Sequence, residues 1–319
     1  MLRSKRMLSS VFAALGIVAM GVSACLASEP AGRASAVRGG RGGDATPAKG
    51  PESLDLRPSF QQWGLDTRSQ GKRGTCSAFV LAGAMEYALA SKQHRAARLS
   101  VEFLNWASNR VTKQAEDGGF FSDLWKGYVA YGVCPEKEMP YLDHFDPNLK
   151  PSDKALAEAK TIRETGLQLH WIKEWDPKKG LTGKQLAEVK RTLRRGWPVC
   201  GGFLWPKQER WENGILQICP RDAVRDGHSV LLVGFRDDEG QPGGGVFLIR
   251  SSSGSSRDGL MTYEYVRTYM NDAVWIDCAG ATGSGSPEGR RRPQPNGEAT
   301  AELLFRHPLG ALAADAHRA

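Results

Sequence analysis

Two short segments contain the side chains best suited to nucleophilic chemistry, and the first is built around Cys76. This cysteine follows a glycine-rich stretch that begins at Gln70, and it opens an apolar run that predicts a helix. A helix N-terminus offers partial positive charge and free N–H groups, which favour a thiolate over a thiol. Those N–H groups and the amide of Gln70 are suited to stabilise an oxyanion. The pattern favours a nucleophile, and a small buried cysteine is the alternative interpretation.

The second segment supplies a candidate base, His228. It follows Gly227 at the head of the apolar run 229–235. A histidine at a strand end that faces a cleft can take the proton of a thiol on the opposite wall, which gives a thiolate–imidazolium pair. On its own, His228 is equally consistent with a hydrogen-bonded core histidine.

The elements that must position these residues change character along the chain. Apolar periodicity predicts helices over residues 76–93, 100–109, 122–131 and 152–164. A further amphipathic helix, ending at Gly196, precedes strand-like runs over residues 199–204, 229–235, 246–250, 260–266 and 273–277. A helical half followed by a strand-rich half predicts an α+β fold with a cleft between the two halves.

Further motifs continue the pattern in chain order. They are Leu54–Arg57, Leu99–Leu104, Asp117–Gly119, Tyr131–Val133, Met139–Tyr141, Gly196–Val199 and Phe247–Gly254. With the Gln70-to-Cys76 spacing and the Gly227-His228 pair, they resemble the papain-like cysteine peptidases, in a form similar to bacterial members. The resemblance implies a papain-like two-lobed fold over residues 53–280, with a helical left lobe, an antiparallel β right lobe and the active-site cleft between them.

The resemblance also implies a role for each matching residue. Cys76 would be the nucleophile, His228 the general acid and base, and Gln70 part of the oxyanion hole of an enzyme that hydrolyses peptide or protein substrates. Substrate binding would fall to Gly118, Gly119 and Gly227. No metal or cofactor is expected, and we expect a monomer.

Two serines depart from the family pattern. Ser251 stands where the family has the asparagine that orients the histidine, and Ser253 stands where a tryptophan shields that hydrogen bond. A serine hydroxyl can accept from an imidazole N–H, but its side chain is shorter. Loss of an orienting residue usually slows such a site without abolishing its activity. Arg73 likewise replaces a cysteine that commonly forms a disulfide near the nucleophile.

Three alternative functions follow from these residues. One is a catalytically impaired papain-like module that binds peptides in its groove. Another is an amidase or transpeptidase acting on cell-wall peptides, because the same Cys–His pair serves all acyl transfers. A serine hydrolase built on Ser229 is disfavoured, since Leu231 stands where a nucleophile elbow needs glycine. Tyr141, Trp205 and Trp211 lie in segments near the groove, where core packing is their expected role.

Both ends of the chain are expected to lie outside the folded domain. Residues 1–25 join a basic start to an apolar run shorter than the roughly 20 residues that span a bilayer, which is typical of a secretory signal. Residues 26–52 have the composition of a flexible linker, too short for a helical inhibitory propeptide, and residues 281–319 form a low-complexity tail.

The signal segment ends in a pattern that resembles a bacterial lipobox. Cys25 would then be lipidated and would tether the mature chain to a membrane, whereas cleavage near Ala24 or Ala27 is the alternative. Either interpretation predicts an exported protein, in the periplasm, at the cell surface or outside the cell. No nucleic-acid partner is expected, because five of the eight net positive charges lie in residues 1–52 and 281–319.

Four other cysteines fit two interpretations. In an oxidising compartment Cys134, Cys200, Cys219 and Cys278 could form two disulfides, and buried free thiols are the alternative. They lack the paired short spacings of a zinc site.

Overall fold

The computed structural model describes residues 52–94, 96–253 and 258–280. The predicted signal segment with Cys25, nearly all of the predicted linker and the predicted tail lie outside the described residues. Among the residues described, no helix is both long and apolar enough to cross a membrane.

The first half of the domain is helical, as the periodicity predicts. Its helices are α1 (Arg57–Gln62), α2 (Cys76–Gln93), α3 (Val101–Thr112), α4 (Phe121–Tyr131) and α5 (Asp153–Arg163). The Ser100 side chain caps α3 by accepting from the N–H of Phe103 at 2.9 Å, and Ser152 caps α5 in the same way. Side-chain oxygens satisfy the otherwise unpaired N–H groups of a first turn, which explains why these helices start where they do.

The second half is built on one twisted sheet. Its elements are β2 (Leu167–Lys173), α6 (Gly183–Arg194), β3 (Val199–Pro206), β4 (Trp211–Glu212), β5 (Ile215–Leu216), β6 (Val224–Asp237), β7 (Gly245–Arg250), β8 (Asp258–Thr262), α7 (Tyr263–Tyr269) and β9 (Met270–Cys278), and β1 (Ser53–Asp55) joins it from the start of the domain. The strand order is β2-β9-β3-β6-β7-β8-β5-β4, with β1 paired to β6. Every pairing is antiparallel except that of β5 with β8. The predicted α+β class is confirmed.

One predicted strand is wrong in its second part. The run 260–266 is a strand only as far as Thr262, because the Thr262 side chain accepts from the N–H of Tyr265 at 3.1 Å and starts α7. Apolar residues at 263, 265, 266 and 269 fit both the strand period and the helix period, and the cap decides between them. The short elements α1, β1, β2, β4 and β5 were not predicted.

Helix α2 joins the two halves. It is buried along most of its length and packs against α3 and α4 on one side and against β6 and β9 on the other. At Gly83 the helix lies directly against the sheet, since a Cβ there would be in ordinary van der Waals contact with the Leu231 side chain, at 3.6 Å. The N-terminus of this helix is therefore held at the line where the helical half meets the sheet.

The cysteines of the described chain, Cys76, Cys134, Cys200, Cys219 and Cys278, are free thiols. The structure thus agrees with the free-thiol interpretation of these positions. Cys134, Cys200 and Cys278 are buried, and Cys219 is the most accessible of the five.

Candidate active site

Cys76 is the first residue of α2 and is almost fully buried at the end of that helix. Thr75 precedes the helix, but its hydroxyl is hydrogen-bonded to Tyr141 at 2.6 Å and does not cap the helix. Burial raises the pKa of the Cys76 thiol, while hydrogen bonds from Ser229 and from the N–H groups of Ser77 and Cys76 oppose that increase. N–H and O–H donors therefore lie beside the sulfur, as its place at the helix start predicts, but for the thiol taken alone burial outweighs them.

His228 lies within β6 on the opposite wall, next to Gly227, whose carbonyl oxygen is 4.0 Å from the Cys76 sulfur. The ring Nε2 is 3.1 Å from the hydroxyl of Ser251 and 3.2 Å from that of Ser253. Because the two hydroxyls engage Nε2, the other ring nitrogen, Nδ1, is left to meet the thiol. Burial lowers the pKa of His228 to about 4, an effect that the charge of Glu209 partly opposes.

Gln70 is fixed by hydrogen bonds at both ends of its side-chain amide. Its Nε2 donates to the carbonyl of Arg73 at 2.7 Å, and its Oε1 accepts from the hydroxyl of Ser252, also at 2.7 Å. The backbone N–H of Gln70 donates to the carbonyl of Ser252 at 2.8 Å. The amide is therefore held in one orientation beside the nucleophile loop, with one N–H of Nε2 still available to a substrate oxygen.

The three glycines predicted to bind substrate occupy different depths. Gly119 and Gly227 line the cleft, whereas Gly118 lies beneath it and donates its N–H to Asn105 at 2.8 Å. At Gly118 the φ angle is +76°, and a Cβ would lie 2.4 Å from the carbonyl oxygen of Gly74. This close approach explains why glycine is needed there.

Cys76, His228 and Gly227 lie at the junction of two cavities. The larger, about 540 Å³, is named here the serine cavity, and its lining includes Gln70, Trp205, Glu209, Arg225, Ser251 and Ser253. The smaller, about 330 Å³, is named the glycine cavity, and its lining includes Gly119, Phe120, Trp175, Phe203 and Asp272. A substrate chain laid across both cavities would pass directly over the sulfur.

Comparison with known proteins identifies the family. The family model for the papain family cysteine proteases matches residues 50–272, about two thirds of the chain. The chain belongs to this family. It is a cysteine peptidase, a hydrolase whose substrates are peptides or proteins.

Solved structures of cysteine proteases share the papain-family fold of this chain. Xylellain from Xylella fastidiosa is 24% identical with a TM-score of 0.56, over 71% of this chain and 86% of that one. A clostridial protease, Cwp84 after propeptide cleavage, is 16% identical with a TM-score of 0.51. The match covers 71% of this chain and 58% of the Cwp84 chain. Comparison with curated protein sequences gives no significant match.

The papain-family pattern places an asparagine and a tryptophan where this chain has Ser251 and Ser253. Their hydroxyls lie 3.1 Å apart, and the N–H of Ser253 donates to the Ser251 oxygen at 3.3 Å. A base that accepts a proton at Nδ1 must carry one on Nε2, and both oxygens lie within reach of it. Two short side chains together thus offer the acceptor that one longer side chain supplies in the family.

Arg73, in place of a disulfide cysteine, makes a polar cross-link on the helical side. Its guanidinium contacts both oxygens of Glu102, at 2.5 and 3.1 Å, and binds Asp117 at 2.7 Å. It also donates to the carbonyl of Leu142 and packs over the ring of Tyr141. These contacts tie the nucleophile loop to α3 and to the loop that carries Gly118 and Gly119.

Sequence reasoning missed several residues of this site. Ser229 was considered only as a rival nucleophile, yet it lies beside Cys76 and favours its thiolate. Trp205 is buried in the hydrophobic core and Trp211 packs against it, as expected, and both also line the serine cavity together with Glu209, which was not predicted. The Gly-His-Ser order gave a signal for Ser229, whereas the segment after Trp205 has no pattern that singles out Glu209.

Proposed function

We propose that this peptidase is exported and cleaves peptide bonds with Cys76 as thiolate nucleophile, His228 as general acid and base, and Gln70 in the oxyanion hole. The observation that carries the proposal is the meeting of these three side chains around one cavity, with Nε2 of His228 engaged by two hydroxyls. A dead binding module has no need of a histidine oriented in this way.

The first chemical step is proton transfer from the Cys76 sulfur to Nδ1 of His228. Each charge alone is costly in this buried site, as the raised pKa of Cys76 and the lowered pKa of His228 indicate. The two opposite charges formed together attract each other strongly where water is scarce. The hydroxyls of Ser251 and Ser253 accept from Nε2–H and stabilise the imidazolium.

The second step is attack of the thiolate on the scissile carbonyl carbon. The carbonyl oxygen gains negative charge and accepts from the free N–H of Gln70 and from the backbone N–H at the start of α2. His228 then donates its proton to the leaving amine, which leaves a thioester on Cys76. Water, deprotonated by His228, hydrolyses the thioester, releases the acid product and restores the thiol.

An epoxide probe directed at thiols tests the nucleophile. We expect wild-type protein to be labelled and to cleave a mixed peptide library, and Cys76→Ala to do neither. Cys219→Ala is the matched control, because Cys219 is the most accessible other thiol of the described chain, and this variant should keep both properties. Labelling that persists in Cys76→Ala would overturn the assignment.

The same experiment separates the alternative functions. Cys76-dependent labelling without peptide cleavage would favour an impaired peptide-binding module. Labelling with release of ammonia or with transfer to an added amine would favour an amidase or transpeptidase on cell-wall peptides. Hydrolysis that survives Cys76→Ser but is lost in Ser229→Ala would favour a serine hydrolase.

Export rests on the sequence of residues 1–25 alone. Expression of the full chain in a bacterium, followed by mass spectrometry of the mature N-terminus, tests it. We expect removal of the segment, with a diacylglyceryl mass on Cys25 if the lipobox is used and an unmodified N-terminus near Ala24 or Ala27 if it is not. Retention of the intact N-terminus in the cytoplasm would contradict export.

A further inference from the structure

Trp205 forms the wall behind the catalytic histidine. Its side chain is 2% exposed, and its ring centroid lies 4.5 Å from that of His228 with an interplanar angle of 68°. Trp205 comes from β3, just after a register shift between Phe203 and Trp205, where Phe203 is the residue paired with His228. The irregularity places the indole next to the imidazole ring. An aromatic ring at this distance excludes water from one side of His228.

Glu209 holds this indole from the loop between β3 and β4. One of its carboxylate oxygens accepts from the Nε1–H of Trp205 at 2.8 Å, and the other accepts from the Nε1–H of Trp211 at 2.9 Å. Both bonds have good length for a charged acceptor, and together they fix the carboxylate in one orientation. Glu209, both tryptophans and His228 line the serine cavity.

Charged and titratable groups line the two cavities on both sides of His228. The β side contributes Glu209, Arg225 and Asp272, and the helical side contributes Lys72, Cys76, Glu116 and the Arg73–Asp117 ion pair. Two of these act on the ring from the side of the serine cavity with opposite sign: the negative charge of Glu209 raises the pKa of His228, and the positive charge of Arg225 lowers it.

We infer that Glu209 is a positioning residue for catalysis, which holds Trp205 against His228 and stabilises the imidazolium form of that ring with its carboxylate. This role rests on the proposed function, since it concerns the same Cys76–His228 pair. Trp205 thereby covers the histidine from β3, although Ser253 stands at the position of the family's shielding tryptophan. Glu209 is itself exposed, so solvent screens its charge and the effect is modest.

Alkylation of Cys76 by iodoacetamide tests this inference without any peptide substrate. The rate follows the thiolate fraction, and the thiolate is populated as its proton moves to His228. For Glu209→Gln we expect alkylation at neutral pH to slow about twofold to threefold, which corresponds to a few tenths of a pKa unit. The alkaline limb of the kcat/KM profile should move to lower pH, because an imidazolium without its negative neighbour loses its proton more readily. Both differences should shrink as salt is added.

Two further variants serve as controls. Glu212→Gln removes the same charge three residues farther along the chain, at an exposed position in β4, and it should leave alkylation unchanged. Arg225→Gln removes the opposing charge and should move the alkaline limb to higher pH. If Glu209→Gln behaves like Glu212→Gln, or if Arg225→Gln shifts the limb in the same direction as Glu209→Gln, the inference is overturned.

Failure of this inference and failure of the proposed function are distinguishable. Cys76-dependent cleavage with no response to Glu209→Gln would remove the role of Glu209 and leave the peptidase assignment intact. A response of the alkylation rate in a protein that cleaves no peptide would keep Glu209 as a partner of His228 and remove the hydrolysis. Trp205→Phe keeps an aromatic ring behind His228 but loses the donor to Glu209. It should shift the alkaline limb in the same direction as Glu209→Gln, by less.

Discussion

Arg73 and His228 stand on opposite sides of the same cleft and are equally buried, at 6% and 7% exposure. Burial disfavours the positively charged form of both side chains. At Arg73, hydrogen bonds to Asp117 and Glu102 outweigh that cost and raise its pKa, so the charge is permanent. At His228 the nearest partners are two neutral hydroxyls, and its pKa falls to about 4. Equal burial thus produces opposite ionisation because the partners differ.

The difference matches what each wall of the cleft must do. The helical wall has to keep the nucleophile loop still, and a fully paired guanidinium acts there as a fixed cross-link. Under the proposed mechanism the β wall has to exchange a proton with the substrate, and its His228 is contacted by neutral hydroxyls that do not fix the ring in its charged form. Hydroxyls at the ring and a screened carboxylate farther away leave the histidine able to accept and release it.

The largest effect is expected on kcat/KM, from removing the side chain of His228. His228→Ala should lower kcat/KM by about a hundredfold to ten-thousandfold, the usual range for loss of a general acid–base group. His170→Ala is the control, since His170 lies on β2 outside both cavities, bonded to Asp277. Steady-state kinetics on one peptide substrate gives both values. Equal losses in the two variants would mean that His228 acts only in packing.

Arg73, whose positive charge is permanent, should matter mainly for the stability of the folded protein. Arg73→Met leaves Glu102 buried without its partner, and we expect the free energy of unfolding to fall by about 3–5 kcal/mol. As a control, Arg191→Met removes an exposed arginine that is paired with Glu188. This change should alter the free energy of unfolding by less than about 1 kcal/mol. Urea denaturation measures both. A small change in Arg73→Met would show that the cross-link is dispensable and that the two walls do not differ in this respect.

The sequence predicts the chemistry of this cleft better than the support around it. Cys76, Gln70 and His228 lie in short motifs whose spacing is visible locally, and so does the helix that starts at Cys76. The partners of Arg73 lie 29 and 44 residues away, and only the packing of α3 and its following loop brings them to it. No local pattern pairs an arginine with a particular carboxylate at that distance.

The support of His228 was hidden for another reason. The sequence predicts Ser251 as a shorter acceptor for the imidazole N–H, but the joint action of Ser251 and Ser253 depends on the strand end that brings their hydroxyls within 3.1 Å. Trp205 reaches the ring because of a register shift in β3, and such irregularities have no sequence signature in a run of apolar residues.

The two hydroxyls predict a specific pattern of kinetic effects. Because Ser251 and Ser253 both lie within reach of Nε2, either can replace the other as acceptor, and each single change to alanine should lower kcat only about twofold to threefold. The double variant leaves Nε2–H without an acceptor and should lose about tenfold to a hundredfold, as expected for a hydrogen bond to a charged group. A double-mutant cycle on kcat measures this coupling. Additive single effects would mean that the two serines act independently and that neither replaces the other.

The smallest effect concerns stability against pH, and it follows from the uncompensated cation at His228. In the unfolded chain the imidazole has its ordinary pKa near 6.5, while in the folded protein the value is about 4. Between these values the unfolded state binds more protons, so stability is complete above about pH 6.5 and is lost as pH falls toward 4. From pH 7 to pH 5 we expect the free energy of unfolding to fall by about 1–2 kcal/mol, a loss that the His228→Gln variant should not show.

Urea unfolding at the two pH values measures this difference. Both proteins should carry Cys76→Ala, so that no thiolate forms. Arg73 should contribute no such slope, because its charge is the same in both states across this range. An equal loss with and without His228 would mean that the imidazolium is compensated in the folded protein after all, and that the two walls differ less than their partners indicate.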